Sequence, residues 1–117
     1  MSRDYKKLKV FNMADDLVLE IYRITDKFPR KEMFGLSQQM RRAAVSVPAN
    51  IVEGCGRRTK KEYRQFLNIS SGSLAEVGYY ISLSHKLDYI DDTTYRTLND
   101  RYNQCAKALN GLMNSIS

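Results

Sequence analysis

Five cations are concentrated in a short stretch of this chain, at the point where a helix is predicted to begin. They are Arg57, Arg58, Lys60, Lys61 and Arg64. The first amides of a helix lack partners within it and carry the positive end of its dipole, so an anion is favoured there before any side chain contributes. Arginine can bind phosphate through two parallel hydrogen bonds, and lysine adds a point charge. The cluster therefore predicts a site that holds phosphate.

The same chemistry recurs near the N-terminus and in the predicted second helix. The residues are Lys6, Lys7 and Lys9 with Arg3 beside them, and the pair Arg41 and Arg42. With Tyr5 and Phe11 close by, the N-terminal group is predicted to be a flexible arm that follows a nucleic-acid backbone. The chain has no helix-turn-helix, zinc-finger or aromatic platform motif, so binding should tolerate many base sequences and weaken with salt.

The whole chain has a net charge of +6, and its positive charge is concentrated in the first half. Residues 1–64 hold fifteen of the nineteen Lys and Arg against eight acids, whereas residues 65–117 hold four against five. This asymmetry favours an oriented basic surface that meets a polyanion. The alternative is that long helices simply use Lys and Arg to face solvent.

The sequence contains no residue pattern that is typical of a catalytic site or a metal site. A di-iron bundle needs Glu-x-x-His pairs, and the single histidine, His85, has Ser82 three residues before it. We expect His85 at the surface or the edge of the core. Gly54-x-Gly56 lacks the third glycine and the lysine of nucleotide-binding loops. We therefore predict no enzymatic activity, no cofactor and no metal.

Two cysteines, Cys55 and Cys105, are too few for a disulfide framework and are predicted to be free thiols. Cys55 precedes Arg57 and Arg58, so two interpretations stay open. Either the cations lower its pKa and make it oxidisable, or it is an ordinary surface thiol.

Four amphipathic helices are predicted to position these groups. Apolar residues recur at steps of three and four over residues 10–27, 35–54, 59–88 and 92–116. Thr59 and Glu62 form a capping box at the start of the third helix. The chain, residues 1–117, is predicted to be a single all-α domain, an antiparallel up-and-down four-helix bundle. We find no apolar run that spans a membrane and no secretory signal, and expect a cytoplasmic protein.

Polar residues interrupt the apolar pattern of the second and third helices. Pro48 lacks an amide hydrogen and should kink or break its helix near Ala44. Asn50 and Glu53 could supply partners for the freed backbone groups, or face solvent. We predict a polar seam that sets the register between helices or subunits, in which Glu76 pairs with Arg41 or Arg42. Its residues are Pro48, Asn50, Glu53, Ser73 and Glu76. The alternative is that each of these polar residues faces solvent independently.

One long string, Arg41-Arg42-Ala-Ala-Val-Ser-Val-Pro-Ala-Asn-Ile51 followed by Glu53-Gly54, carries a family resemblance. Together with Phe28-Pro29 upstream and Gly72-Ser73-Leu74-x-Glu76 downstream, it resembles the four-helix-bundle proteins encoded by intervening sequences in bacterial 23S ribosomal RNA genes. The resemblance implies a homopentameric ring. It also implies kinship with the accessory protein of diversity-generating retroelements, a basic pentamer that binds nucleic acid and a reverse transcriptase.

These observations predict a non-enzymatic, oligomeric nucleic-acid-binding protein, with structured RNA or an RNA–protein complex favoured over DNA. Eight tyrosines and five methionines exceed what one small core needs and suit a subunit interface. The alternative is a protein-interaction scaffold, a ring that docks a partner such as a reverse transcriptase or another polymerase.

Overall fold

Four α-helices make up most of the chain in the computed structural model, which describes residues 3–116. They are α1 (Lys9–Thr25), α2 (Leu36–Cys55), α3 (Lys60–Lys86) and α4 (Asp92–Ser115), with 3-10 turns at Tyr5–Lys7 and Arg30–Glu32. No strand occurs within this described range, which confirms the all-α class. The helix ends differ from the predicted ones by at most two residues. None of the described helices is long and apolar enough to cross a membrane.

The helices surround one apolar core, and each packs against two neighbours. Helices α1 and α3 both contact α2 and α4, and α2–α3 is the most extensive pair. The largest fully buried side chains come from all four helices: Leu17, Ile21, Met40, Ile51, Leu67, Ile81, Leu98 and Leu109. Burying such a side chain contributes about 1.5–3 kcal/mol, so the apolar stripes predicted from the sequence stabilise the bundle.

Helices α2 and α3 approach closely because small residues line their contact. A Cβ added to Gly54 would lie 3.0 Å from Tyr63 Cδ1 and 3.1 Å from Phe66 Cβ. Further along, the Ser70 hydroxyl donates to the Val47 carbonyl at 2.8 Å. The end of α2 therefore lies directly against the start of α3.

Pro48 does not break α2, which runs without interruption from Leu36 to Cys55 with Pro48 buried inside it. Of the two predicted outcomes, the local break is therefore wrong, and the kink stays a prediction. Two backbone carbonyls near the proline accept hydrogen bonds from side chains. The Asn50 side-chain amide donates to the Ser46 carbonyl at 2.8 Å, and the Ser70 hydroxyl donates to the Val47 carbonyl. Neither bond reaches the Ala44 carbonyl, which is the group that Pro48 leaves without its backbone donor. Glu53, in contrast, is exposed and pairs with Arg57.

Glu32 holds the α1–α2 connection in place. Its carboxylate accepts from the Tyr89 hydroxyl at 2.7 Å and from the Leu36 amide at 3.1 Å. Both bonds favour the charged form and lower the pKa of Glu32. The first amide of α2 is thereby capped, and the α1–α2 and α3–α4 connections are joined at this end of the bundle.

The close α2–α3 contact predicts opposite effects for two glycine-to-alanine changes. Gly111→Ala, in α4, adds a methyl group to open space and should raise the free energy of unfolding by up to about 1 kcal/mol. Gly54→Ala forces α3 away from α2 and should lower it by about 1–3 kcal/mol. Denaturant unfolding at one fixed protein concentration measures both. Stabilisation by Gly54→Ala would show that this contact is looser than described.

Candidate nucleic-acid interface

One end of the bundle collects most of the cations singled out in the sequence. The start of α3 lies against the end of α2 at Gly54, and Arg64 bonds to the Ile116 carbonyl after α4. Arg3 donates to the Arg57 carbonyl at 3.4 Å, which brings in the segment before α1. We call this region the basic end; its cations are Arg3, Lys6, Lys7, Lys9, Arg57, Arg58, Lys60, Lys61 and Arg64.

The described part of the N-terminal segment is folded against the bundle, so the prediction of a flexible arm is wrong for residues 3–9. The Arg3 guanidinium lies over the Tyr63 ring at 4.1 Å. Asp4 caps the following 3-10 turn by accepting from the Lys6 amide at 3.0 Å. The Tyr5 ring contacts the Phe11 ring edge-on, with 4.8 Å between centroids. Apolar packing thus fixes the lysines of this segment at the basic end.

The cations of the basic end differ in whether they form ion pairs with other residues of the chain. Arg57 pairs with Glu53 and lies over the Phe66 ring at 4.6 Å. Seven others are exposed and form no ion pair within residues 3–116: Lys6, Lys7, Lys9, Arg58, Lys60, Lys61 and Arg64. They keep their full charge available for an external anion.

The start of α3 is partly occupied by the chain's own side chains. The Thr59 hydroxyl oxygen accepts from the Glu62 amide at 3.1 Å, as a capping box requires. The Glu62 carboxylate, however, bonds to the Thr59 hydroxyl at 3.0 Å and not to its backbone amide. Because this carboxylate already lies near the positive end of the dipole, side chains must supply most of the attraction for phosphate.

A shallow groove of about 420 Å³ runs along the outer face of the first turns of α3. Its lining is entirely basic or amide in character: Lys60, Lys61, Arg64, Gln65 and Asn68. Spacings of three and four residues, as in Lys61–Arg64, Lys61–Gln65 and Arg64–Asn68, bring these side chains together on one side of the helix. Cations beside amide donors suit a phosphate backbone, which accepts hydrogen bonds from both.

Arg41 and Arg42 do not belong to the basic end. They precede Cys55, the last residue of α2, by about 20 Å, at 1.5 Å per residue. Arg41 binds Asp26 at 2.9 Å and the Thr25 hydroxyl at 2.8 Å, and lies over the Tyr22 ring at 4.6 Å. Within one chain it therefore ties α2 to α1 and is not paired with Glu76.

The predicted polar seam is present in part. The Ser46 and Ser73 hydroxyls lie 2.8 Å apart, and the Asn50 amide donates to the Ser46 hydroxyl at 3.0 Å. Glu76 is exposed, and neither it nor Arg42 forms an ion pair among the described residues. A pair between subunits stays a prediction.

Both interpretations of Cys55 are wrong. The thiol is buried, with 2% of the residue exposed, and burial raises its pKa. Cys105 is fully buried, and burial raises its pKa to about 11. Both cysteines are small residues that pack in the core, and this burial, not the neighbouring arginines, determines the direction in which the pKa of each thiol shifts.

His85 lies half-buried at the edge of the core, as expected. Its ring stacks on Tyr95 at 4.2 Å, and Nε2 lies 2.7 Å from an Asp92 carboxylate oxygen. Among the described residues, no group of three potential ligands is arranged to hold a metal. Through these contacts with Tyr95 and Asp92, His85 packs α3 against α4.

Sequence reasoning missed an apolar groove of about 520 Å³ away from the basic end. It is lined by Tyr22, Met33, Phe34, Gln38, Arg41, Arg42, Val45 and Ser46. Phe34 is 83% exposed, which is unusual for so large an apolar side chain. The signal in the sequence was Met33-Phe34, two adjacent apolar residues between predicted helices.

Fold and surface together define a four-helix bundle with a basic end and a separate apolar groove. The family model of the 23S rRNA-intervening sequence protein matches residues 6–111, and the chain belongs to this family. The expected family resemblance is thereby confirmed.

A similar solved structure is that of a protein of unknown function from the S23 ribosomal protein family of Bacteroides thetaiotaomicron VPI-5482. It is 21% identical, with a TM-score of 0.84 over 91% of this chain and 99% of that chain, and supports the fold alone. No curated protein matches the chain.

Burial of both thiols predicts that neither reacts readily in the folded protein. At pH 8 a water-soluble disulfide reagent should modify Cys55 and Cys105 roughly a hundredfold more slowly than in denaturant, because the reactive thiolate is scarce and shielded. Cys55→Ser and Cys105→Ser variants assign each rate. Rapid native labelling of the Cys105→Ser variant would show that Cys55 is accessible.

Proposed function

We propose that this protein is a non-enzymatic nucleic-acid-binding bundle that holds the phosphate backbone of structured RNA, alone or in an RNA–protein complex, at its basic end. The observation that carries this proposal is the convergence of exposed cations that form no ion pair within residues 3–116, among them Lys7, Arg58, Lys60 and Lys61, from two separate parts of the chain. The family's name, which refers to a ribosomal RNA gene, favours RNA over DNA. We place this activity in the cytoplasm.

The proposal includes an antiparallel up-and-down bundle that assembles as a homopentameric ring. Contacts between the end of α2 and the start of α3, and between Met40 and Ser84 near their other ends, support opposite helix directions. A ring repeats the basic end once per subunit. Single contacts of modest strength then become strong binding when one RNA engages several subunits.

Binding should be sensitive to salt and tolerant of base sequence. If about five phosphates are neutralised, the logarithm of the affinity falls with the logarithm of salt concentration at a slope near −4.5. Titration of structured RNA and duplex DNA, each with two unrelated sequences, from 50 to about 300 mM salt measures this slope.

Changing Lys7, Arg58, Lys60 and Lys61 to Gln should abolish most of the binding and flatten the slope. These side chains form no ion pairs within the described chain, so the fold should persist. The matched control changes four exposed cations at the other end of the bundle to Gln: Lys27, Arg30, Lys31 and Lys86.

Both variants lose the same net charge, and only the position differs. Equal losses in the two variants would mean that net charge alone attracts RNA, and would overturn the assignment to the basic end. Absence of binding by the wild type near 150 mM salt would favour the protein-interaction scaffold.

A further inference from the structure

A groove of about 450 Å³ lies where α1 meets α4, next to the basic end. We call it the α1–α4 groove; it is lined by Lys9 and Met13 of α1 and by Gln104, Lys107 and Ala108 of α4. Lys9, Gln104 and Lys107 are exposed, whereas Met13 and Ala108 are half-buried and pack against the core. The groove therefore has an apolar floor between two lysines.

The charges around the α1–α4 groove favour an anion. No acid lines it, and neither Lys9 nor Lys107 forms an ion pair within residues 3–116. Asp16 lines a smaller depression of about 180 Å³ that shares Met13 and Gln104 with the groove. Because Asp16 follows Lys9 by about two turns of α1, the positive part of this side is the part beside the basic end.

The last turns of α4 connect the α1–α4 groove with the shallow groove at the start of α3. Helix α4 packs against both α1 and α3, and the Ile116 carbonyl after it accepts from Arg64, which lines the groove on α3. Lys107 precedes the last residue of α4 by about 12 Å. Residues 101–116 include no acid, and the Asn110 and Asn114 amides are exposed between the two grooves. A nucleic-acid strand can therefore follow this surface from one groove to the other.

The apolar floor indicates which form of nucleic acid fits the α1–α4 groove. A duplex presents sugars and phosphates and keeps the faces of its bases stacked, so it gains little from an apolar floor. An unpaired nucleotide exposes its base, which can pack on Met13 and Ala108. The Gln104 amide can donate to and accept from the base edge, and a lysine on each side suits the phosphates. The groove volume falls within the range of about 300–1,000 Å³ that is usual for small-ligand sites.

We propose that the α1–α4 groove binds an unpaired nucleotide of an RNA whose duplex part lies on the basic end. The preferred ligand is thus a duplex with a single-stranded extension. The inference deepens the proposed RNA binding and rests on it, because Lys9 belongs both to the basic end and to the groove.

Two RNAs of equal length test this preference. One is a hairpin with a short single-stranded extension, and the other is a blunt hairpin lengthened to the same number of nucleotides, so that both carry the same charge. The wild type should bind the extended hairpin about tenfold more tightly at equal salt, since only this RNA offers an unstacked base. Fluorescence anisotropy titration measures both affinities.

A double variant assigns the gain to the groove. Lys107→Gln with Gln104→Ala should remove the preference for the extended hairpin, reduce its salt slope by about 0.7, the value for one single-strand phosphate, and leave the affinity for the blunt hairpin unchanged. Both side chains are exposed, so the fold should persist. The matched control is Arg96→Gln with Thr97→Ala, at exposed positions in the first half of α4, and should keep the preference.

An introduced cysteine locates the strand on the surface. Because Cys55 and Cys105 are buried, the new thiol of an Ala108→Cys or Thr97→Cys variant should react first with a water-soluble reagent. The extended hairpin should slow the labelling of the Ala108→Cys variant about tenfold, since a bound base shields this position. It should leave the Thr97→Cys variant unprotected.

Several results would overturn the inference and leave the proposed function intact. They are equal affinities for the two hairpins, a preference that survives in the Lys107→Gln, Gln104→Ala variant, and equal protection of the Ala108→Cys and Thr97→Cys variants. If the wild type binds neither hairpin at about 150 mM salt, the inference and the proposed function both fail. The groove would then suit an acidic segment of a protein.

Discussion

The close contact between α2 and α3 is the constraint on which the other features of the structure depend. Gly54 admits Tyr63 and Phe66 at van der Waals distance, and the serines of α3 bond to α2 further along. This contact brings the end of one helix and the start of the next into one place, so the cations between them converge. It also brings the Ser46 and Ser73 hydroxyls to 2.8 Å from each other, midway along the two helices.

The basic end is electrostatically unfavourable for a chain that has no partner. Nine cations gather there, and the nearby acids Asp4, Glu53 and Glu62 are engaged in a cap, an ion pair and a cap. Repulsion among surface charges is modest in water and is further screened by salt. Solubility alone would favour mixed charges, so this one-sided cluster is the charge pattern on which the proposal of an anionic ligand rests.

The helices and their apolar stripes could be predicted from the sequence because periodicity and caps are local signals. What failed depended on contacts between distant residues. The N-terminal lysines looked mobile because nothing local showed that Arg3 stacks on Tyr63. Both interpretations of Cys55, as an oxidisable thiol or as an ordinary surface thiol, placed it at the surface, but helix packing buries it. Arg41 was assigned to phosphate, and its contacts with Thr25 and Asp26 arise only when α1 and α2 meet.

The proposed ring would strengthen the proposed RNA binding through geometry. If copies join side by side with parallel axes, all basic ends lie on one side of the ring. The cations of successive copies then form a continuous positive rim. Because screening limits each charge to about 8 Å at physiological salt, such a rim attracts a folded RNA that spans several subunits far more strongly than a short strand that meets one.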